Sequence, residues 1–426
     1  LEARLKRFLY NLTMTVLTPV ILARLAGRGL KSPKYFARWR ERFGWFKAPK
    51  LEGSVWVHAV SVGEFNAAIP LIEALMLRYP QRQFVISTVT PTGSDRVLQV
   101  FGSRVFHCYL PYDIISAVRR FLNRVKPALA VVMETEIWPN LFIECRDLGV
   151  PIVVANARLS DKSMKGYRPV ISLAATAVKS TAAIAAQSEA DAQRFIKLGA
   201  RPETVRVVGN IKFDLAVPAH VKQAAANFRL SWGERRPVWI AASTHADDEI
   251  PVMQAFARVL RSLPDALLIL VPRHPERFDA AANLSTSMGF RTQTRSRVGI
   301  CGPDTQCFVA DTMGELLLFY AACDVAFVGG SFAKIGGHNV LEAAALHKPV
   351  VVGPHTFNFT EINQILADRG ALKTVANAEE LGEVMVKLLS STAQREAMGE
   401  AGFAAVLAER GALARILTMI DGVFKP

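Results

Sequence analysis

"VWVHAVSVGEFNAAIPLIEAL", Val55 to Leu75, decides the fold. Its first six residues, Val55 to Val60, are mostly β-branched or aromatic and read as a buried strand. From Phe65 onward the apolar residues recur at helical spacing. The polar turn between them, Ser61-Val62-Gly63-Glu64, hands a strand directly to a helix, which is half of a βαβ unit. Ser-x-x-Glu before an apolar run is also the capping-box pattern, in which serine and glutamate side chains satisfy free backbone N–H groups. On spacing alone Glu64 reads as a cap rather than as a proton acceptor.

Working outward, the same rhythm repeats. "FVIST", "RVFHCYL", "ALAVVME", "PIVVANA", "AIAAQS" and "VRVVGN" follow the first strand, each separated from the next by a helical pattern. A polar, helix-like stretch at 215–236 interrupts the series and reads as a linker. "VWIAAS", "ALLILVP", "CFVAD", "VAFVGG" and "PVVVG" then restart it, before helices run to the C-terminus. The expected fold class is α/β, with two Rossmann-like domains of parallel sheet at 51–214 and 237–426. The last helix is a candidate to pack back on the N-terminal domain.

Composition adds a third region. The chain has 426 residues and a net charge of +14. Residues 1–50 hold twelve Lys or Arg against two Glu, so ten of those fourteen charges are N-terminal. Within that region "FLYNLTMTVLTPVILA", residues 8–23, is uncharged but shorter than the ~20 apolar residues a spanning helix needs. Arginine-flanked and carrying Tyr10, residues 1–50 read as a helical membrane-associating segment at an anionic lipid surface. Nucleic acid is not expected as a partner, because no binding motif accompanies the charge. The five cysteines are scattered without a Cys-x-x-Cys pair, which points away from disulfides and from a cysteine zinc site and fits a reducing cytosol.

In open α/β sheets ligands bind beyond the carboxyl ends of the strands. Polar, charged and Gly-rich types concentrate in those loops, and two rows of them imply a cleft between domains. Gly336, Gly337 and His338, just before a helix expected to open at His338 or Asn339, form a candidate phosphate seat. Glu342, three residues after Asn339, suits a cap or the hydroxyls of a ribose, and Thr312-Met-Gly-Glu315 repeats the arrangement. Arg273, Lys212 and Arg158 are cations at strand ends suited to acidic ligands. Thr92, in "TPTG", and Arg158 are candidate contacts to a bound carboxylate or to a second substrate. His245, Asp247, Asp248 and Glu249 match no metal-ligand spacing, and Thr244-x-x-Asp247 reads as another cap. No metal and no cofactor are expected.

"HAVSVGE", "TPTGSDRV", "METEIWPN", "NARLS", "GNIKFD", "STH", "VPRHPERF", "DTMGE", "GGHNVLEAAA" and "GPHTFNF", in this order and nearly end to end, resemble the bacterial 3-deoxy-D-manno-octulosonic acid (Kdo) transferases. The resemblance implies the GT-B architecture and inverting, metal-independent transfer of Kdo from CMP-Kdo to a lipid A precursor. The place would be the cytoplasmic face of a Gram-negative inner membrane, within lipopolysaccharide biosynthesis. By the same resemblance Glu64 matches the catalytic base, and Glu134 and Lys212 match residues supporting the transition state. Pro272, Arg273, Met313, Gly314, Glu315, Asn339, Val340, Leu341 and Glu342 match the CMP contacts. The alternative is another GT-B nucleotide-sugar enzyme acting on a lipid acceptor.

Overall fold

A computed structural model describes residues 2–425, and it divides into two compact units. The first runs to Asp214 and takes back the chain from Arg410 onward; the second covers Leu215–Glu409.

The first unit is built on a sheet of seven strands: β1 (Ser54–His58), β2 (Phe84–Thr88), β3 (Phe106–Tyr109), β4 (Pro127–Met133), β5 (Ile152–Ala157), β6 (Ala183–Ala186) and β7 (Val205–Val207). Their order is β3-β2-β1-β4-β5-β6-β7, parallel throughout. Strands covered by helices on both faces are expected to be almost continuously apolar, as "VWV" and "LAVVM" are. Period-two alternation sends Val55, Val57, Val131 and Met133 to one core layer and Trp56, Ala130 and Val132 to the other. The first layer is completed by the C-terminal helix Ala412–Val423, whose Ile416 and Ile420 are fully buried in it.

The second unit has strands β8 (Val238–Thr244), β9 (Leu267–Pro272), β10 (Thr292–Thr294), β11 (Cys307–Val309), β12 (Val325–Val328), β13 (Val350–Val352) and β14 (Leu372–Thr374). All are parallel, in the order β10-β11-β9-β8-β12-β13-β14. The stretch 215–236 is not a free linker. Its helix Ala219–Trp232 buries Val221, Ala225, Phe228 and Trp232 along one face, and Phe228 and Trp232 stack edge-on against Phe319 and Phe308 of the second unit. Those positions follow the i, i+4, i+7, i+11 stripe of a core-facing helix.

The first sheet's strand order reverses between β1 and β4, and the second sheet's central reversal lies between β8 and β12. Those are the positions where doubly wound sheets open a crevice for ligands.

The N-terminal region forms helices Glu2–Val16 and Thr18–Lys31, with Pro19 just inside the second. Among the described residues no single helix is long and apolar enough to cross a membrane. The bent pair Leu5–Val16 and Thr18–Leu30 passes by length and composition, with 44° between its halves. Polar groups on the first helix turn into the first unit: Arg7 donates to Glu144 at 2.5 Å and Tyr10 to Asp113 at 2.9 Å. Some of the basic charge is likewise internal. Arg42 is buried, donates to the Val89 carbonyl at 2.8 Å and lies 4.4 Å from the centre of the Tyr109 ring.

Candidate active site

Glu64 is the third residue of the helix Val62–Arg78, and Ser61 caps it. The Ser61 hydroxyl accepts from the Glu64 N–H at 3.3 Å, while the carboxylate accepts from Ser61 Oγ at 3.2 Å and from the Val60 N–H at 2.9 Å. The cap read from sequence is therefore present, with the reciprocal backbone bond coming from the Val60 N–H rather than the Ser61 N–H. Burial, reinforced by the charge of Glu134 and opposed by the Val60 hydrogen bond, pushes the Glu64 carboxyl up to about 7. A carboxylate that titrates there can accept a proton at physiological pH and holds it more tightly than an ordinary Glu.

Glu134 follows β4, the strand across the switch point from β1. Its backbone is left-handed, at φ 57°, and its N–H donates to the Ala155 carbonyl at 3.0 Å. The carboxylate meets Lys212 Nζ at 3.1 Å. Nearby Glu136 accepts from the Trp138 indole at 2.9 Å, and burial raises its carboxyl.

Lys212 is positioned by a polar chain that sequence reasoning did not single out. Asn156, at φ 53°, accepts the Ile211 N–H on Oδ1 at 3.0 Å, and its carbonyl accepts Gln187 Nε2 at 2.9 Å. Gln187 Oε1 accepts Asn210 Nδ2 at 3.0 Å, and Asn210 Oδ1 accepts the Lys212 N–H at 3.0 Å. Asparagine in a left-handed position at a strand end was the available signal, since Asn tolerates that backbone better than most residues. Arg158 is half-buried and Thr92 exposed; neither bonds to Glu64 or Glu134.

In the second unit the switch point is organised by Asp248. Its buried carboxylate accepts the N–H groups of His245, Gly330, Phe332 and Ala333 at 2.8 to 3.1 Å, clamping the loop after β8 to the loop after β12. Glu249 is buried and paired with Arg277. Both acids thus have structural duties, and among the described residues no cluster of His, Cys, Asp or Glu could hold a metal ion. The cap of this helix is His245 with Asp248, one position later than Thr244-x-x-Asp247.

Pro272 ends β9, and the Arg273 N–H donates to the Thr244 carbonyl at 2.9 Å. His338 Nε2 lies 2.9 Å from His245 Nε2 across the switch point. Burial, then the charge of Arg273, push the His338 ring down to about 4, so the pair shares one N–H as neutral imidazoles at pH 7. Gly336 and Gly337 have φ of 102° and 78°. A side chain at Gly336 would bring its Cβ within 2.5 Å of the Phe357 ring. The helix expected at His338 or Asn339 begins only at Leu341 and ends at Ala344. Asn339 instead bridges, accepting the Leu341 N–H at 3.2 Å and donating to Glu342 at 3.1 Å. Val340 and Leu341 are fully buried, backbone included, so neither presents an accessible surface to a ligand here.

Thr312-Met-Gly-Glu315 does not form a cap. Thr312 donates to the Glu315 carboxylate, and Arg295 grips both carboxylate oxygens at 2.7 and 3.0 Å, holding the carboxyl below its usual range. Met313 is exposed and Gly314 is left-handed, at φ 88°.

Residues 37–215 match the family described as 3-deoxy-D-manno-octulosonic-acid transferase, and residues 252–404 match glycosyl transferases group 1. The chain is 40% identical to the 3-deoxy-D-manno-octulosonic acid transferase of Haemophilus influenzae, covering 97% of this chain and 98% of that one. It is 36% identical to the Bordetella pertussis enzyme of the same name, covering 97% and 99%. Its fold is similar to that of a UDP-GlcNAc 2-epimerase from Neisseria meningitidis, with a TM-score of 0.58 at 13% identity over 86% of this chain and 99% of that one. Two doubly wound parallel sheets with this near end-to-end identity place the chain in the Kdo transferase family, among the GT-B glycosyltransferases.

Proposed function

We propose that this Kdo transferase moves Kdo from CMP-Kdo to an anionic lipid A precursor, lipid IVA, with inversion and with Glu64 as general base. The observation that carries the reading is a carboxyl pushed up to about 7 at the switch point of the first sheet, beside a Glu134–Lys212 ion pair 3.1 Å apart. The acceptor hydroxyl gives its proton to Glu64 as its oxygen forms the bond to the anomeric carbon. The bond from that carbon to the cytidylate phosphate oxygen breaks, and its electron pair leaves with CMP. Lys212, fixed by Asn210 and Glu134, stabilises negative charge near the reacting centre. In the second unit Arg273 and the Gly336-Gly337-His338 stretch after β12 are assigned to the departing phosphate. Asn339 and Glu342 are assigned to the nucleoside. No step is given to a divalent ion.

The enzyme is placed on the cytoplasmic face of the inner membrane. Phe8, Leu12, Val16 and Val20 are exposed on the first two helices, in the region holding most of the net positive charge.

The test is incubation with CMP-Kdo and lipid IVA, reading CMP release and product mass. Glu64→Gln is expected to lower the rate by roughly 10²- to 10⁴-fold, the usual contribution of a general base, with CMP affinity unchanged. Full activity of that variant removes the base assignment.

A further inference from the structure

An apolar cavity of about 460 Å³ opens on the first unit, lined by Leu22, Trp39, Arg40, Phe43, Trp45 and Arg120. Nothing in the transfer reaction uses it. Trp39 and Trp45 are 42% and 54% exposed, although Trp is normally well covered in soluble domains. The walls are held in place. Arg120 donates through Nε and Nη2 to the Phe43 carbonyl at 3.0 and 2.9 Å, and Trp39 packs edge-on against Phe43.

The rim is cationic. The Arg120 and Arg124 guanidiniums lie 4.6 and 5.3 Å from the Trp45 ring centre, and Arg40 lies 5.9 Å from that of Trp39. Among the described residues none of these three arginines is paired with a carboxylate. Two guanidiniums sharing one indole repel each other, and an anion bound at Arg120 relieves that repulsion. An apolar pocket beneath cations that lack a carboxylate partner is complementary to an anionic amphiphile, its tail inside and its phosphate on the rim. The pocket lies beside the helix Thr18–Lys31, whose exposed Val20 and Leu22 extend the apolar surface.

We propose that this cavity is a binding site for a single anionic phospholipid of the bilayer, which takes an acyl chain between Leu22, Phe43, Trp39 and Trp45 and its phosphodiester onto Arg40 and Arg120. The site rests on the reading that this face meets a membrane. It adds that one lipid is held individually rather than through diffuse charge attraction.

Titration of the full chain with dihexanoyl phosphatidylglycerol, kept below its micelle concentration, removes the bilayer from the experiment. Saturable change in tryptophan emission is expected, at least tenfold weaker with dihexanoyl phosphatidylcholine. Leu22→Glu, which puts an anion at an exposed helix position, is expected to weaken phosphatidylglycerol binding by tenfold or more. Arg40→Gln, at an exposed side chain, should erase most of the preference for phosphatidylglycerol while leaving phosphatidylcholine binding unchanged. Absence of saturation, equal affinity in Leu22→Glu, or a concentration-dependent dimer that masks both tryptophans overturns the site. Sedimentation with phosphatidylglycerol vesicles tests the membrane reading separately. Monomer binding without vesicle binding keeps the pocket and rejects bilayer attachment, whereas vesicle binding without monomer binding does the reverse.

Discussion

Burial and the Glu134 charge raise the Glu64 carboxyl from 4.5 to about 7, so the folded chain binds this proton more tightly than the unfolded chain does. The stabilisation that follows is complete below pH 4.5 and is lost as pH rises through 7. At ~1.36 kcal/mol per pH unit the loss amounts to about 3 kcal/mol. Glu64→Gln removes the titration while keeping an oxygen for the Val60 N–H. Its urea midpoint is therefore expected to gain on the parent between pH 5 and pH 8, and a difference that stays flat over that range contradicts the raised carboxyl. If Glu64 is the base, kcat/KM of the parent is expected to fall about tenfold per pH unit below pH 7, as its carboxyl becomes protonated. The cap at Ser61-x-x-Glu64 was legible in sequence because its partners lie within four residues. The raised carboxyl was not legible, since it depends first on burial and then on Glu134, seventy positions away, arriving just after the adjacent strand. Only the resemblance to a family pointed to a base at Glu64.

Elements show the same division between local and distant causes. Strands such as β1 and β4, apolar throughout, were readable, whereas β10 and β14 were not: "TQT" is half-buried, and two of the three residues of "LKT" are exposed. Edge strands of three residues carry too little alternation to register. Asp248 looked like part of a poor metal motif because three of its four N–H partners lie 82 to 85 residues away. Removing its carboxylate strands those buried donors, so Asp248→Ala is expected to cost the second unit more than about 3 kcal/mol in denaturant titration. Recovery of full stability shows that the clamp is dispensable. The helix Ala412–Val423 makes the opposite kind of prediction, one of packing alone. Ile420 is fully buried in the core layer with Val55 and Val57, so Ile420→Ala is expected to destabilise the first unit by about 2 to 5 kcal/mol, while the midpoint of the second stays put.

For the whole molecule, each unit encloses its own core and its own sheet, which lets ligand linkage be read in one unit at a time. A ligand that binds only the folded second unit stabilises it by RT ln(1 + [L]/Kd), about 2.7 kcal/mol at a hundredfold excess over the dissociation constant. If the loops after β8, β9 and β12 hold cytidylate, CMP alone should slow hydrogen exchange in those strands about a hundredfold through suppressed opening, and UMP should do so less at equal concentration. Exchange in β1 and β4, whose loops carry Glu64 and Glu134, should respond little, because the donor nucleotide lacks the acceptor hydroxyl that these residues are proposed to address. Asp248→Asn separates a folded site from a formed one: by weakening the clamp on Gly330 and Phe332 it should diminish the CMP response even under conditions where the second unit remains folded. Protection confined to β1 and β4 would place the nucleotide on the wrong sheet for this mechanism and reverse the roles of the two units.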